Sequence, residues 1–307
     1  MPGSVPDRVA DRASAGFAGG FEDGFVNTRG SGLTRRDQRM CGYACEPAVC
    51  PCTLGGMLLS PMATEISAGM SAVAALGLAA GGLAYAAMNP ASRLFGPAMT
   101  APARPGELAL TFDDGPNPAW TPQLLDTLAS FEVRATFFLV GSYAQAEPQL
   151  VRRILSAGHL IGNHSWSHPN LAITSASRVR AELTQTRDML QHITGQPVMW
   201  FRPPFGGRRP VVLKIARSLG MTPVLWSAMT SDWSEPSSDR IAKSITSKID
   251  ENQRKGWATN IVLHDGGHLD LGANRGPSVA AAGKLLAWYK PTHRFVRLDA
   301  WSDDSVA

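Results

Sequence analysis

From Glu107 onward, short apolar runs alternate with longer stretches of helical periodicity, and this alternation most constrains the fold. The apolar runs cover 108–112, 135–140, 160–162, 198–201, 222–226, 260–263 and 294–297. Helical patterns lie between them, over 121–130, 148–157, 175–194, 209–219, 237–254 and 277–289. Pro122, Pro148, Pro210 and Pro277 sit near helix starts, where a missing N–H is harmless. Gly158, Gly195 and Gly220 follow helix ends, as C-caps do. Strands alternating with helices predict a parallel sheet. The expected fold class is α/β: a distorted (β/α) barrel of about seven strands rather than an open doubly wound sheet. No glycine-rich dinucleotide or phosphate fingerprint follows the first strand.

Residues 1–105 read differently. They are rich in Gly, Ala, Ser and Pro and predict a largely irregular region with one apolar helix. Residues 1–65 read as a low-complexity leader, 66–88 as an uncharged apolar helix, 89–105 as a linker and 106–307 as the main domain. The stretch 66–88 is long enough to cross a bilayer, although Ala and Gly dominate it. Three readings stand: an uncleaved signal-anchor, a signal peptide cut after Ala84-Tyr85-Ala86, and an Ala/Gly-rich linker. The membrane readings imply an anchored or secreted protein. Cys41, Cys45, Cys50 and Cys52 all precede this stretch, and their spacing does not match a paired C-x2-C zinc frame. The formal charge of +4 gives no compositional support for nucleic-acid binding.

Chemistry concentrates after the apolar runs, at what would be the C-terminal ends of strands, where active sites of β/α barrels gather. Thr111-Phe112-Asp113-Asp114-Gly115-Pro116 places two carboxylates side by side at a strand end. Buried neighbours of like charge are expensive, so a cation is expected, held by one Asp while the other acts as base. His164 and His168, four residues apart in His164-Ser165-Trp166-Ser167-His168-Pro169, supply two imidazoles. With one carboxylate they form a three-ligand divalent-metal set with an open position. Arg202, in Arg202-Pro203-Pro204-Phe205-Gly206, is a charge on a rigid turn, able to pin a carboxylate through a bidentate contact. Asp232 and His264 follow the next two runs, and a carboxylate beside a histidine raises its pKa into the range of a general acid. Trp166 and Trp233 read either as sugar-stacking or as packing residues. His268 receives no role, and His159, His192 and His293 read as ordinary packing or surface residues.

The motifs T-F-D-D-G-P, H-S-W-S-H-P, R-P-P-F-G, D-W and V-L-H-D occur in the order and spacing of the polysaccharide deacetylases, carbohydrate esterase family 4, and residues 106–300 resemble that family. The resemblance implies a distorted (β/α) barrel that removes acetyl groups from acetylated polysaccharides or oligosaccharides, with zinc as the usual metal and cobalt as another. It implies Asp113 as base, Asp114, His164 and His168 as metal ligands, and Ser165 as a support of the histidine loop. It also implies Arg202 as the residue orienting Asp113, Asp232 as the partner of the acid His264, the backbone N–H of Phe205 as an oxyanion donor, and Trp233 and Val262 at the acetyl pocket. Phe205 replaces the commoner Tyr, Val262 stands where Leu is frequent, and Met229 occupies a position where many members carry Asp. The expected substrate is an N-acetylglucosamine-containing glycan: peptidoglycan, chitin or a chitooligosaccharide. An acetylxylan esterase and a catalytically inactive glycan-binding barrel are the alternatives.

Overall fold

A computed structural model describes the backbone of residues 61–304 and the side chains of 73–302. The four cysteines and most of the expected leader lie outside the described residues. Helix α1 (Pro61–Met88) comes first. Then follow β1 (Glu107–Gly115), α2 (Thr121–Ser130), β2 (Thr136–Leu139), α3 (Gly141–Ala146), α4 (Pro148–Ser156), β3 (Leu160–Asn163) and α5 (Ala176–Thr194). The remainder is β4 (Trp200–Phe201), α6 (Pro210–Ser218), β5 (Thr222–Pro223), α7 (Ser238–Arg254), β6 (Thr259–His264), α8 (Gly276–Tyr289) and β7 (Arg294–Phe295).

All paired strands run parallel, in the order β5-β4-β3-β2-β1-β6, with β7 also pairing β1. An isolated parallel bridge, Ala228 to Ile261, joins the chain after β5 to β6 and curls the sheet around. This is the expected distorted barrel. Its long strands are β1 and β6; β4, β5 and β7 keep only two residues each, fewer than the apolar runs predict. Prolines explain part of this: Pro203, Pro204 and Pro223 lack the N–H that a ladder needs. The short helix α3 was not expected, because six residues carry too little periodicity to register.

The alternation within β1 sorts its side chains between two layers. Leu108, Leu110 and Phe112 join the core under the helices, with Leu124, Leu125 and Leu128 of α2. Ala109 faces the barrel interior with Phe138, Trp200, Val224, Leu298 and Trp301. Thr111 and Asp113 continue that interior face upward. Helix ends follow the sequence signals: Ser175 and Ser237 cap α5 and α7 by accepting from Arg178 N and Arg240 N, and Gly195 closes α5 at φ 67°.

The packed unit begins before residue 106. Ala86 and Met99 are buried, Met99 bridges Val224, and Ala258 N donates to Pro102 O. The stretch 66–88 is helical as expected, and α1 extends it back to Pro61. Among the described residues no helix is long and apolar enough to cross a membrane.

Candidate active site

Two adjacent residues of a regular strand point to opposite faces, so Asp113 and Asp114 could not share a pocket on an unbroken β1. The β1–β2 register shifts between Asp113 and Gly115, and Asp114 takes a left-handed backbone at φ 69°. This irregularity turns both carboxylates into one cavity of about 280 Å³. Gly266 is required beside it: a Cβ there would lie 1.9 Å from Asp114 O. Among the described residues, four of the five non-glycine residues at positive φ (Asp114, Ser165, His168 and Phe205) belong to this site. Such concentration of backbone strain is typical of sites whose geometry the fold over-determines.

The cavity is lined by Asp113, Asp114, His164 and His168, by Phe205, Trp226, Met229, Trp233 and Val262, and by His264, His268 and Arg275. Asp114 Oδ1 lies 3.3 Å from His164 Nε2 and 3.0 Å from His168 Nε2, and one ligand atom from each residue falls within 4.8 Å of the others. His164 Nδ1 donates to Arg202 O at 2.8 Å, which fixes the tautomer and leaves Nε2 a free lone pair. Burial raises the Asp114 carboxyl, but the close approach of the His164 and His168 imidazoles, with His264 beyond them, outweighs it and holds the group well below the usual carboxylate range. Burial also lowers His168 below its ordinary value, favouring the neutral, ligating ring. A buried carboxylate facing two imidazole nitrogens therefore fits a divalent cation.

The loop carrying the histidines is held from below. Asn163 Oδ1 accepts from Ser165 N, and Ser165 Oγ accepts from His168 N. Glu182 of α5, almost fully buried, accepts from Trp166 N, Ser167 N and Ser167 Oγ, each at 2.8 Å, and from Arg178 Nε. Glu182 was not anticipated. An acid on a helix face otherwise lined by Val179, Leu183 and Thr186 was the available signal.

Asp113 is paired with Arg202, which is fully buried and stacks 4.2 Å from the Phe138 ring centre. The contact is not the expected bidentate one. Arg202 Nη1 reaches Asp113 Oδ1 at 2.8 Å and Thr111 Oγ1 at 2.7 Å, while Nη2 turns to Asn260 Oδ1 at 3.5 Å. The guanidinium sits across the barrel interior and spreads its donors over β1 and β6, so only one nitrogen faces the carboxylate.

His264 ends β6 opposite Asp113 in register. Asp232 Oδ1 lies 2.8 Å from His264 Nδ1, and Asp232 Oδ2 accepts from His264 N at 2.8 Å and Ser278 Oγ at 2.7 Å. Burial alone would lower the imidazole, but the charge and hydrogen bond of Asp232 prevail, with Asp114 and Asp113 adding, and His264 is pushed up to about 9. Trp233 packs edge-on to its ring at 5.2 Å and is half-exposed, as are Phe205 and Met229. Val262 is buried beneath them. All ten sequence-derived site residues thus meet at one cavity or directly behind it. His268, given no role above, also lines it: its ring stacks on His168 at 4.7 Å, and Nδ1 lies 4.0 Å from Asp114 Oδ2.

A carboxylate–imidazole metal set flanked by an Arg-paired Asp and an Asp-paired His, at the strand ends of a barrel, defines a metal-assisted acyl hydrolase. The comparisons narrow the class. The family model described as polysaccharide deacetylase matches residues 100–224. A peptidoglycan-N-acetylglucosamine deacetylase of Bacillus cereus is 38% identical over 204 residues, covering 66% of this chain and 70% of the relative. A chitooligosaccharide deacetylase of Sinorhizobium fredii is 37% identical, covering 58% and 82%. The solved structure of the Bc1960 peptidoglycan N-acetylglucosamine deacetylase superposes with TM-score 0.59 at 35% identity, covering 66% of this chain and 91% of that one. The chain belongs to the polysaccharide deacetylase family, carbohydrate esterase family 4.

Proposed function

We propose that the protein removes N-acetyl groups from N-acetylglucosamine-containing glycans outside the cytoplasm, releasing acetate and leaving a free amine on the sugar. The observation that carries this reading is the pairing of Asp113 with Arg202 and of His264 with Asp232 around one Asp-His-His set. A base must be ionised and an acid protonated at the same pH, and these two locks supply that division.

Asp114, His164 and His168 would hold a divalent cation, and two imidazoles with one carboxylate suit zinc, with cobalt as an alternative. When bound, such an ion polarises the acetyl carbonyl and acidifies water. Asp113, oriented by Arg202, accepts a proton from the water whose oxygen attacks the carbonyl carbon. The backbone N–H of Phe205, on a tight turn at the cavity wall, donates to the developing oxyanion. His264, charged at neutral pH, then gives its proton to the sugar nitrogen as the C–N bond breaks. Asp232 keeps the imidazole oriented and charged throughout. Trp233, Phe205 and Val262 bound the acetyl methyl, and the exposed faces of Trp233 and Phe205 offer the sugar ring apolar surface.

The glycan assignment leans on relatives named for peptidoglycan and chitooligosaccharide. The extracytoplasmic placement leans on the relatives named for peptidoglycan. The third reading, an inactive glycan-binding barrel, predicts losses among these side chains, whereas Asp113, Asp114, His164, His168 and His264 all line the cavity. The test is acetate release by the full chain from peptidoglycan, chitooligosaccharide and acetylxylan, with zinc, cobalt or chelator. Release from the N-acetylated glycans, lost with chelator, is the expected result. Strong preference for acetylxylan would overturn the amide assignment.

A further inference from the structure

Arg208 is buried, yet among the described residues it faces no carboxylate. Its guanidinium is spent on carbonyl oxygens at the end of α1 and in the turn beyond it. Nη2 donates to Asn89 O at 2.6 Å and Ser92 O at 2.8 Å, and Nη1 to Ala87 O at 3.4 Å and Gly206 O at 3.3 Å. Its own backbone N–H donates to Ala87 O at 3.0 Å. The last carbonyls of a helix carry partial negative charge and lack partners in the helix, so a fork-shaped cation suits them.

The same residue anchors the turn that forms one wall of the active site. Gly206 O, one of the four acceptors, belongs to the residue after Phe205. Gly206 has φ 68°, and a Cβ there would lie 2.9 Å from the Trp226 ring and 3.5 Å from Met88 O. The end of α1, the Phe205–Gly206 turn and the cavity-lining Trp226 are thus in direct packing contact. Phe205 itself stands at φ 57°, a conformation an unbranched loop would leave readily.

We propose that Arg208 is a positioning residue for the deacetylation. It clamps the chain leaving α1 to the Phe205–Gly206 turn and so fixes the Phe205 N–H toward the reacting acetyl group. The proposal rests on the functional reading above. It makes the segment 87–92 a working part of the active site. Every acceptor on that segment lies beyond Ala86, so a cut after Ala84-Tyr85-Ala86 preserves the clamp, whereas a chain begun at Glu107 lacks it.

The test compares the full chain with its Arg208→Met and Arg208→Lys variants, with rates normalised to bound metal. A displaced oxyanion donor weakens transition-state binding and leaves substrate binding alone. Arg208→Met is therefore expected to lower kcat by about 10- to 100-fold with KM within about twofold, since a misplaced group can cost that much. Affinity for a tetrahedral phosphonate mimic of the attacked acetamide should fall in the same proportion, while acetate affinity stays unchanged. Arg208→Lys, which keeps the charge without the fork, should recover part of the rate. If Arg208→Met does not fold, Arg208→Lys carries the comparison and should still lower kcat and mimic affinity together. Equal kcat per bound metal with only a lower melting temperature would overturn the clamp. Absence of acetate release by the unmutated, metal-loaded chain would instead overturn the functional reading.

Discussion

Replacing Asp232 by Asn removes the group that sets the charge on His264, the proposed general acid. In the intact site Asp232 Oδ1 is 2.8 Å from His264 Nδ1, and the imidazole is raised from 6.5 to about 9. Without that carboxylate, burial acts unopposed by its largest counterweight, and the pKa returns to the ordinary value or below. At about pH 8 the protonated fraction is roughly 0.9 for a pKa near 9 and roughly 0.03 for one near 6.5, a loss of about 30-fold. At about pH 5.5 the fractions are roughly 1.0 and roughly 0.9, so the ionisation part of the defect all but vanishes there. A residual loss at acid pH would report the imidazole's disturbed orientation. The assay is the pH profile of kcat/KM for deacetylation by the wild-type chain and Asp232→Asn. The basic limb should move from near 9 to near or below 6.5. A basic limb that stays near 9 in the variant would refute the pairing as the source of the acid's charge.

The other predictions are of metal binding and stability. In metal-free protein, His264 is raised above its unfolded value, so its pairing stabilises the fold fully below about 6.5 and loses that contribution as pH rises through about 9. Urea denaturation should show the wild-type advantage over Asp232→Asn shrinking across that window; a gap that widens with pH contradicts it. Arg202→Met leaves Asp113 buried without its cation and should cost about 3–5 kcal/mol in denaturant unfolding, and an unchanged midpoint contradicts it. Glu182→Ala frees the backbone of the histidine loop and should weaken zinc affinity by about 10- to 100-fold in a chelator competition; equal affinity contradicts its role.

The side chains that gather at the cavity were legible because they sit where strand patterns end. Asp113, His164, Arg202 and His264 each follow an apolar run, and the alternation placed all those ends on one rim. Other features depend on contacts between distant segments. The irregularity that brings Asp113 and Asp114 to one side is a register shift against β2 and a close approach by Gly266, and neither leaves a local mark. Arg202 reads as a carboxylate partner, but its division between β1 and β6 follows from its place inside the barrel. The runs 198–201 and 222–226 look like full strands, yet only two residues of each join the main sheet as a strand. No local pattern sets Arg208 apart from Arg209, and only its carbonyl partners more than a hundred residues earlier reveal it.

Asp113 is the proposed base of a metal-assisted deacetylation, and the mechanism depends on it. The most direct measurement is the simultaneous yield of acetate and of free amine from an N-acetylated chitooligosaccharide or peptidoglycan fragment, using zinc-loaded wild-type chain and Asp113→Asn. Equal yields of the two products from the wild type, and almost none from a variant that still binds zinc and stays folded, are predicted. Acetate release undiminished in Asp113→Asn, or no release by the folded, zinc-loaded wild type, would contradict it.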